Sequence, residues 1–200
     1  MSSYVVTATL LAAAYTYLDY RKMLDELMVE KKTTGPDQSD KMVQYARLNL
    51  QRMNRIEKTT VIAPALESKI RQISQPQHWL VITEGWCGDA AQNMPVIAQA
   101  AALNPQIDLR LILRDEHPHV MDQYLYNGTR SIPRLVVFDQ AMNERAIWGP
   151  RPQPAQELVN AGKQQGLPHD TWAEQVHAWY GKDRSLTLQR ELTKMLDAIV

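Results

Sequence analysis

The chain has 200 residues, 44% of them hydrophobic and 22% charged, which suits one domain with a sizeable core and an appended subdomain. Its 22 basic residues balance its 22 acidic ones, so no electrostatic footprint points to nucleic acid or to an anionic membrane surface. A single cysteine excludes an internal disulfide framework and a cysteine-rich metal site, and it fits a cytoplasmic setting.

Tyr4 to Leu18 is uncharged and largely apolar, but Asp19, Arg21 and Lys22 end it before the roughly 20 residues that a membrane span needs. Ser2-Ser3 supplies no charged leader for a signal peptide, so the expectation is a helix packed on the body or partly frayed. From Tyr15 to Glu30, Tyr17, Leu18, Met23, Leu24, Leu27 and Met28 recur at helical spacing. Lys31 to Asp40 is a polar connector broken by Gly35-Pro36, and Ser39 or Asp40 is placed to cap a helix over Lys41 to Lys58. The stripe Met42, Tyr45, Leu48, Arg52, Met53 and Ile56 on that helix reads as core packing, because helical spacing already explains it. Pro64 can open another helix through Ile70 and Ile73, ended by Gln75-Pro76.

A buried strand follows, Trp79 to Thr83, with β-branched content. It breaks at Glu84-Gly85, and Trp86-Cys87-Gly88-Asp89 leads into a helix whose inner face carries Ala90, Ala91, Met94, Val96, Ile97 and Ala100. The only cysteine therefore stands where a helix begins, beside unpaired N–H groups and the positive end of the dipole. Asn104-Pro105 turns the chain into a second strand, Ile107 to Leu113, and this spacing predicts a parallel, right-handed crossover. Arg114 to Pro118 opens a short helix that ends near Asn127-Gly128. Arg134 to Phe138 and Glu144 to Trp148 form a hairpin antiparallel to the central strand, giving the order 107–113, 79–83, 134–138, 144–148. The proline-rich run Gly149 to Pro154 is a stiff exit, followed by helices over Ala155 to Gln165 and Thr171 to Tyr180, and a last one capped by Ser185.

The stretch from Trp79 to Gly149 resembles the thioredoxin family. The features that carry the resemblance are the strand, Trp86-Cys87-Gly88, a helix with Pro95, and Ile132-Pro133 before a later strand. The likeness is strongest to bacterial members with a WCGDC site followed by GxRSIP, here Gly128 to Pro133. It implies an α/β, thioredoxin-like fold: a central mixed four-stranded sheet flanked by helices, with extra helices at both ends. Residues 1–76 then form an N-terminal helical extension packing on the core, and residues 77–200 the thioredoxin-like domain with its C-terminal helices.

The resemblance also assigns roles. Cys87 is the nucleophile, and Ala90 holds the position of the resolving cysteine, absent or engineered away. Trp86, Gly88, Asp89, Ile132, Pro133 and Arg134 surround the substrate, with a cis bond at Ile132-Pro133 whose loop faces the cysteine. Val81 occupies the strand position of the family's buried acid, and Glu84 reads as a solvated turn residue. Cys87 itself has two readings: a solvent-reachable, partly ionised thiol, or a small buried hydrophobe. Asp89 disfavours a neighbouring thiolate by its charge, and Arg134 is placed to offset it. His117-Pro118-His119 and the pair Glu174 and His177 lack the further ligands of a metal site, so neither a metal nor another cofactor is expected.

Two functions fit. One is a thiol–disulfide oxidoreductase that forms mixed disulfides through Cys87 alone, with disulfide-bearing or glutathionylated proteins as substrates and glutathione or a thioredoxin reductase as partner. The other is a non-catalytic thioredoxin-fold module that holds peptides in the groove of Trp86 and Ile132-Pro133.

Overall fold

The structure, a computed structural model, describes residues 5–199. Tyr4 and Ser2-Ser3, where the first apolar stretch and the leader reading begin, lie outside the described residues. Helix α1 (Ala8–Ala13) is short, and the chain then lies along the sheet edge, where Tyr15 exchanges backbone hydrogen bonds with Leu111 at 2.8 and 2.9 Å. Val6 and Leu11 are buried, so this segment packs on the body and covers an otherwise open strand edge.

Helix α2 (Tyr17–Val29) starts at Thr16, whose hydroxyl accepts from the Asp19 N–H at 3.1 Å. It buries Tyr20 and Leu24, while Leu18, expected on the inner face, is 79% exposed. Helix α3 (Asp40–Thr59) buries Val43, Ala46, Asn49, Leu50, Met53 and Ile56 against α5 (Gly88–Ala101). Only Met53 and Ile56 of the predicted stripe belong to that face; Met42, Tyr45 and Arg52 stay half-exposed and Leu48 is exposed. Helix α4 (Pro64–Gln72) starts on its proline and buries Leu66 and Ile70.

The sheet has the order β2 (Ile107–Leu113), β1 (Gln77–Thr83), β3 (Arg134–Asp139), β4 (Glu144–Trp148), as the sequence predicts. β1 runs parallel to β2 and antiparallel to β3, which pairs antiparallel with β4. Trp79, Leu80, Val81 and Ile82 have no solvent exposure, because α-helices cover both faces of the central strand.

Three local expectations are corrected. Helix α6 (Pro118–Met121) is a single turn rather than a helix reaching Asn127, and just past its end Asp122 takes a two-pronged ion pair from Arg130 at 2.7 Å. The chain reverses there through Asn127 and Gly128, both at positive φ, with Tyr126 and Thr129 bridged. Helix α8 (His169–Asp183), paired with α7 (Gln153–Gln164), is longer than its sequence signal at both ends. Before α9 (Leu186–Asp197), Ser185 makes no side-chain cap, and the Asp183 carboxylate accepts from the Thr187 N–H instead, at 3.1 Å.

One apolar cluster joins the sheet to α1–α5 and α9; α7 and α8 share a second, small one built from Ala155, Val159, Val176 and Tyr180. Among the described residues, no helix is long and apolar enough to cross a membrane.

Candidate functional site

The turn after β1 is held from outside the sheet motif. The Thr34 hydroxyl accepts from the Gly85 N–H at 2.8 Å, and the buried Asn49 amide donates to the Gly85 carbonyl at 3.0 Å. The stretch read as a polar connector thus contributes a buried clamp at Thr33-Thr34. Glu84 has no solvent exposure; its Oε1 accepts from the Asp115 N–H at 2.9 Å, and burial pushes its carboxyl above the ordinary range. The solvated-turn reading of Glu84 is therefore corrected, since the Thr33-Thr34 loop and the exit of β2 lie against it.

Cys87 is the N-cap of α5. Its Sγ accepts from the Ala90 N–H at 3.4 Å and donates its hydrogen to the Ile132 carbonyl at 3.4 Å. The Ile132-Pro133 bond is cis, as the resemblance implies, and so is Gly149-Pro150. Gly149 has φ +110, and a Cβ on it would overlap the Pro133 carbonyl, so only glycine lets the strand exit lie against that loop.

Cys87 is buried, with 8% of the residue exposed. Burial, followed by the Asp89 charge, pushes its pKa up to about 12, against the smaller pull of the Ala90 N–H and the Arg151 guanidinium. The partly ionised thiol expected from the helix terminus is thus corrected: desolvation outweighs the dipole, and the resting side chain is a protonated thiol.

Asp89 does not point freely at the thiol. Arg151 grips one of its oxygens through Nε at 3.0 Å and Nη2 at 2.6 Å, and the Tyr180 hydroxyl donates to the other at 2.7 Å. Asn93 donates to the same hydroxyl at 2.9 Å. The offsetting cation is therefore Arg151 and not Arg134. Arg134 is 8% exposed and turns away, donating to the carbonyls of Tyr124 and Gly149, so it braces the loops on either side of Pro133.

Gly88 faces α8. A Cβ there would fall 2.7 Å from His177 Cε1, which leaves glycine as the residue that lets α8 close over the start of α5. His177 Nδ1 lies 3.5 Å from Gln92 Nε2, and burial and Arg52 hold its pKa down to about 4.

Sequence reasoning missed Arg151, His177, Tyr180 and Arg52 as neighbours of the cysteine. Arg151 sits in the proline-rich exit, and Glu174 with His177 suggested only a metal spacing. Among the described residues, no group of three or more His, Cys, Asp or Glu is arranged to hold a metal ion.

Together these elements enclose a cleft of roughly 870 Å³, within the range of small-ligand sites. Its floor is Trp86 to Asp89 with Ile132; α3 forms one wall with Met42, Tyr45, Leu48 and Arg52, and α8 the other with Trp172, Val176 and His177. Arg114 stacks on Trp86 with its guanidinium carbon 4.6 Å from the ring centre.

A family model described as Thioredoxin matches residues 35–166, well over half of the chain. The chain belongs to the thioredoxin family. The match takes in α3, the sheet, the cysteine turn and the Ile132-Pro133 loop. Comparison with curated proteins finds no match. Among solved structures, a Pseudomonas aeruginosa protein of unknown function is similar over 93% of this chain and 99% of its own, at 18% identity and TM-score 0.58. An HIV epitope scaffold of the 4E10 type is similar over 88% of this chain and 98% of its own, at 17% identity and TM-score 0.56. At such identities these two likenesses speak for the fold. Within this thioredoxin-family site, Ala90 leaves Cys87 without a second thiol.

Proposed function

We propose that the chain is a thiol–disulfide oxidoreductase with Cys87 as its single nucleophile. The observation that carries this reading is the setting of Sγ: at the start of a 14-residue helix, 3.4 Å from the Ile132 carbonyl, on the floor of a ligand-sized cleft. A substrate backbone N–H arriving at Ile132 competes for the carbonyl that now holds the thiol hydrogen. The thiolate attacks one sulfur of a protein disulfide or a glutathionylated thiol, that S–S bond breaks, and the leaving thiolate takes up a proton. A second thiol must then attack the mixed disulfide, and the Ala90 methyl supplies none. An external thiol such as glutathione releases the adduct, in a cytoplasmic setting that keeps thiols reduced. A tethered thiol would do this at an effective concentration of up to roughly 10⁵ M or more.

A second reading, a binding module that holds peptides between Trp86 and Ile132-Pro133, is favoured by the burial of Cys87 and its raised pKa. The two separate in one assay, run on this chain beside its Ala90→Cys variant, with adducts read by mass spectrometry. The oxidoreductase reading expects stoichiometric trapping of a disulfide substrate by this chain, slow release by millimolar glutathione, and steady turnover by Ala90→Cys. A Cys87 that forms no adduct in the folded chain, together with an inactive Ala90→Cys, hands the site to the binding module.

A further inference from the structure

The charges that line the cleft are matched almost one for one. Arg114 pairs with Asp115 at 2.8 Å, Arg130 with Asp122 at 2.7 Å, Arg151 with Asp89 at 2.6 Å, and Asp170 with Lys41 at 3.4 Å. Glu174 on the α8 wall is exposed and makes no ion pair among the described residues. Arg52 is the exception among the cations. It is half-buried, and among the described residues its hydrogen-bond partner is the neutral Asn49 Oδ1, at 2.7 Å. Asn49 is in turn fixed by its bond to Gly85, so Arg52 is aimed from a rigid base. Its Nη1 would lie 3.6 Å from a Cβ on Gly88, so the guanidinium sits beside the residue that follows Cys87.

A half-buried guanidinium with open N–H groups, facing a cleft beside a sulfur nucleophile, is complementary to a carboxylate. Tyr45, Leu48, Trp86 and Trp172 line the same cleft, and they suit an apolar linker between that carboxylate and the reacting sulfur. The walls α3 and α8 rise on both sides of the buried Cys87, so what reaches Sγ must be slender.

We propose that Arg52 makes this cleft selective for disulfides in which the half captured by Cys87 is a small thiol bearing a carboxylate. The inference rests on the oxidoreductase reading and names its substrate class. The carboxylate docks on Arg52, and Sγ of the Cys87 thiolate attacks the sulfur of the same half. A new S–S bond forms as the old one breaks, and the other half leaves as a thiolate with the bonding pair and takes a proton. No external oxidant or reductant enters this step.

The test uses three disulfides of similar size: dithiodiglycolate, which is anionic, bis(2-hydroxyethyl) disulfide, which is neutral, and cystamine, which is cationic. Mixed-disulfide formation on the full chain is followed by mass spectrometry at fixed ionic strength, and each rate is divided by that of the urea-unfolded chain to remove intrinsic reactivity. The expected order is anionic, neutral, cationic, with the first ahead of the second by roughly tenfold, the effect of one charge-assisted contact. Arg52→Gln, checked for folding by circular dichroism, should collapse that ratio, and Arg52→Lys should keep part of it. In parallel, calorimetry with adipate, the unreactive carbon counterpart of dithiodiglycolate, reads the anion site without chemistry and should lose affinity in Arg52→Gln. Equal normalised rates with no adipate binding overturn the inference and leave the oxidoreductase reading standing, as does a preference that survives Arg52→Gln. Adipate binding that needs Arg52, with no disulfide reacting in the folded chain, overturns the oxidoreductase reading and leaves only an anion pocket. Silence in both assays overturns both.

Discussion

At the residue scale, Cys87 shows how two forces of opposite sign meet on one sulfur. The helix start and the Arg151 charge favour the thiolate, and burial with the Asp89 charge favours the thiol. Burial wins, because the cost of a charge in a closed site exceeds what one N–H and a distant half-dipole return. Alkylation of the folded chain by iodoacetamide should therefore keep accelerating past pH 9, with an inflection near the value of about 12. A plateau at or below about 8.5, the value of a free thiol, would show that the thiol is open to water. The same shift has a stability consequence whose sign is fixed. The folded chain holds this proton more tightly than the unfolded one, so the contribution is whole below the unfolded pKa of about 8.5 and is lost as pH rises toward the folded value.

Among the elements, the α7–α8 hairpin depends on α5 for its docking. Its own apolar cluster is small, and Asp89 receives both Arg151 and Tyr180. Tyr180→Phe removes one donor from Asp89 and one acceptor from Asn93, and should cost about 1–3 kcal/mol in denaturant unfolding. Removing Arg151 is more severe, since it leaves a carboxylate at 15% exposure without its cation, a change of about 3–5 kcal/mol in comparable pairs. His177 gives the same hairpin a pH response. It faces Arg52, Asp89 and His169, and its folded pKa of about 4 lies below the ordinary 6.5. A depressed histidine stabilises the docked state above the unfolded value and loses that contribution as pH falls toward the folded one. Amide protection factors in α8, taken after division by the intrinsic exchange rate at each pH, should thus fall between pH 6.5 and 4 in this chain, and His177→Gln should flatten the profile. An α8 protection factor that ignores both changes would mean that the hairpin is held by something other than these contacts.

The whole molecule is divided by its two apolar clusters. Leu192 on α9 has no exposure and belongs to the cluster that includes the sheet, whereas Val176 belongs to the hairpin cluster. Leu192→Ala should lower the global unfolding free energy by about 2–5 kcal/mol, as a core cavity does. Val176→Ala should speed exchange in α7 and α8 while leaving the strands protected, as expected of separate cooperative units. Equal loss of protection everywhere in both variants would make the chain one unit.

The sequence by itself determined the sheet. Buried strands announce themselves through short β-branched runs, Trp79 to Thr83 above all; a strand–helix–strand spacing leaves one handed crossover, and the thioredoxin resemblance places the hairpin on the other side of the central strand. It also marked Cys87, because residue type and helix start are both local facts. What the tertiary structure decided is everything that depends on which surfaces meet. The spacing of Met42, Tyr45, Leu48 and Arg52 is the same whether a helix faces a core or a cleft, since period 3.6 records a face and not its partner. Arg151 and Tyr180 lie 62 and 91 residues from the aspartate they hold, and Glu84 is buried with partners, Thr34 and Asp115, that come from distant loops. The acidity of Cys87 followed those meetings: its sequence neighbours supply the dipole, but its burial comes with the sheet cluster and the Ile132 loop, brought there only by the folded chain.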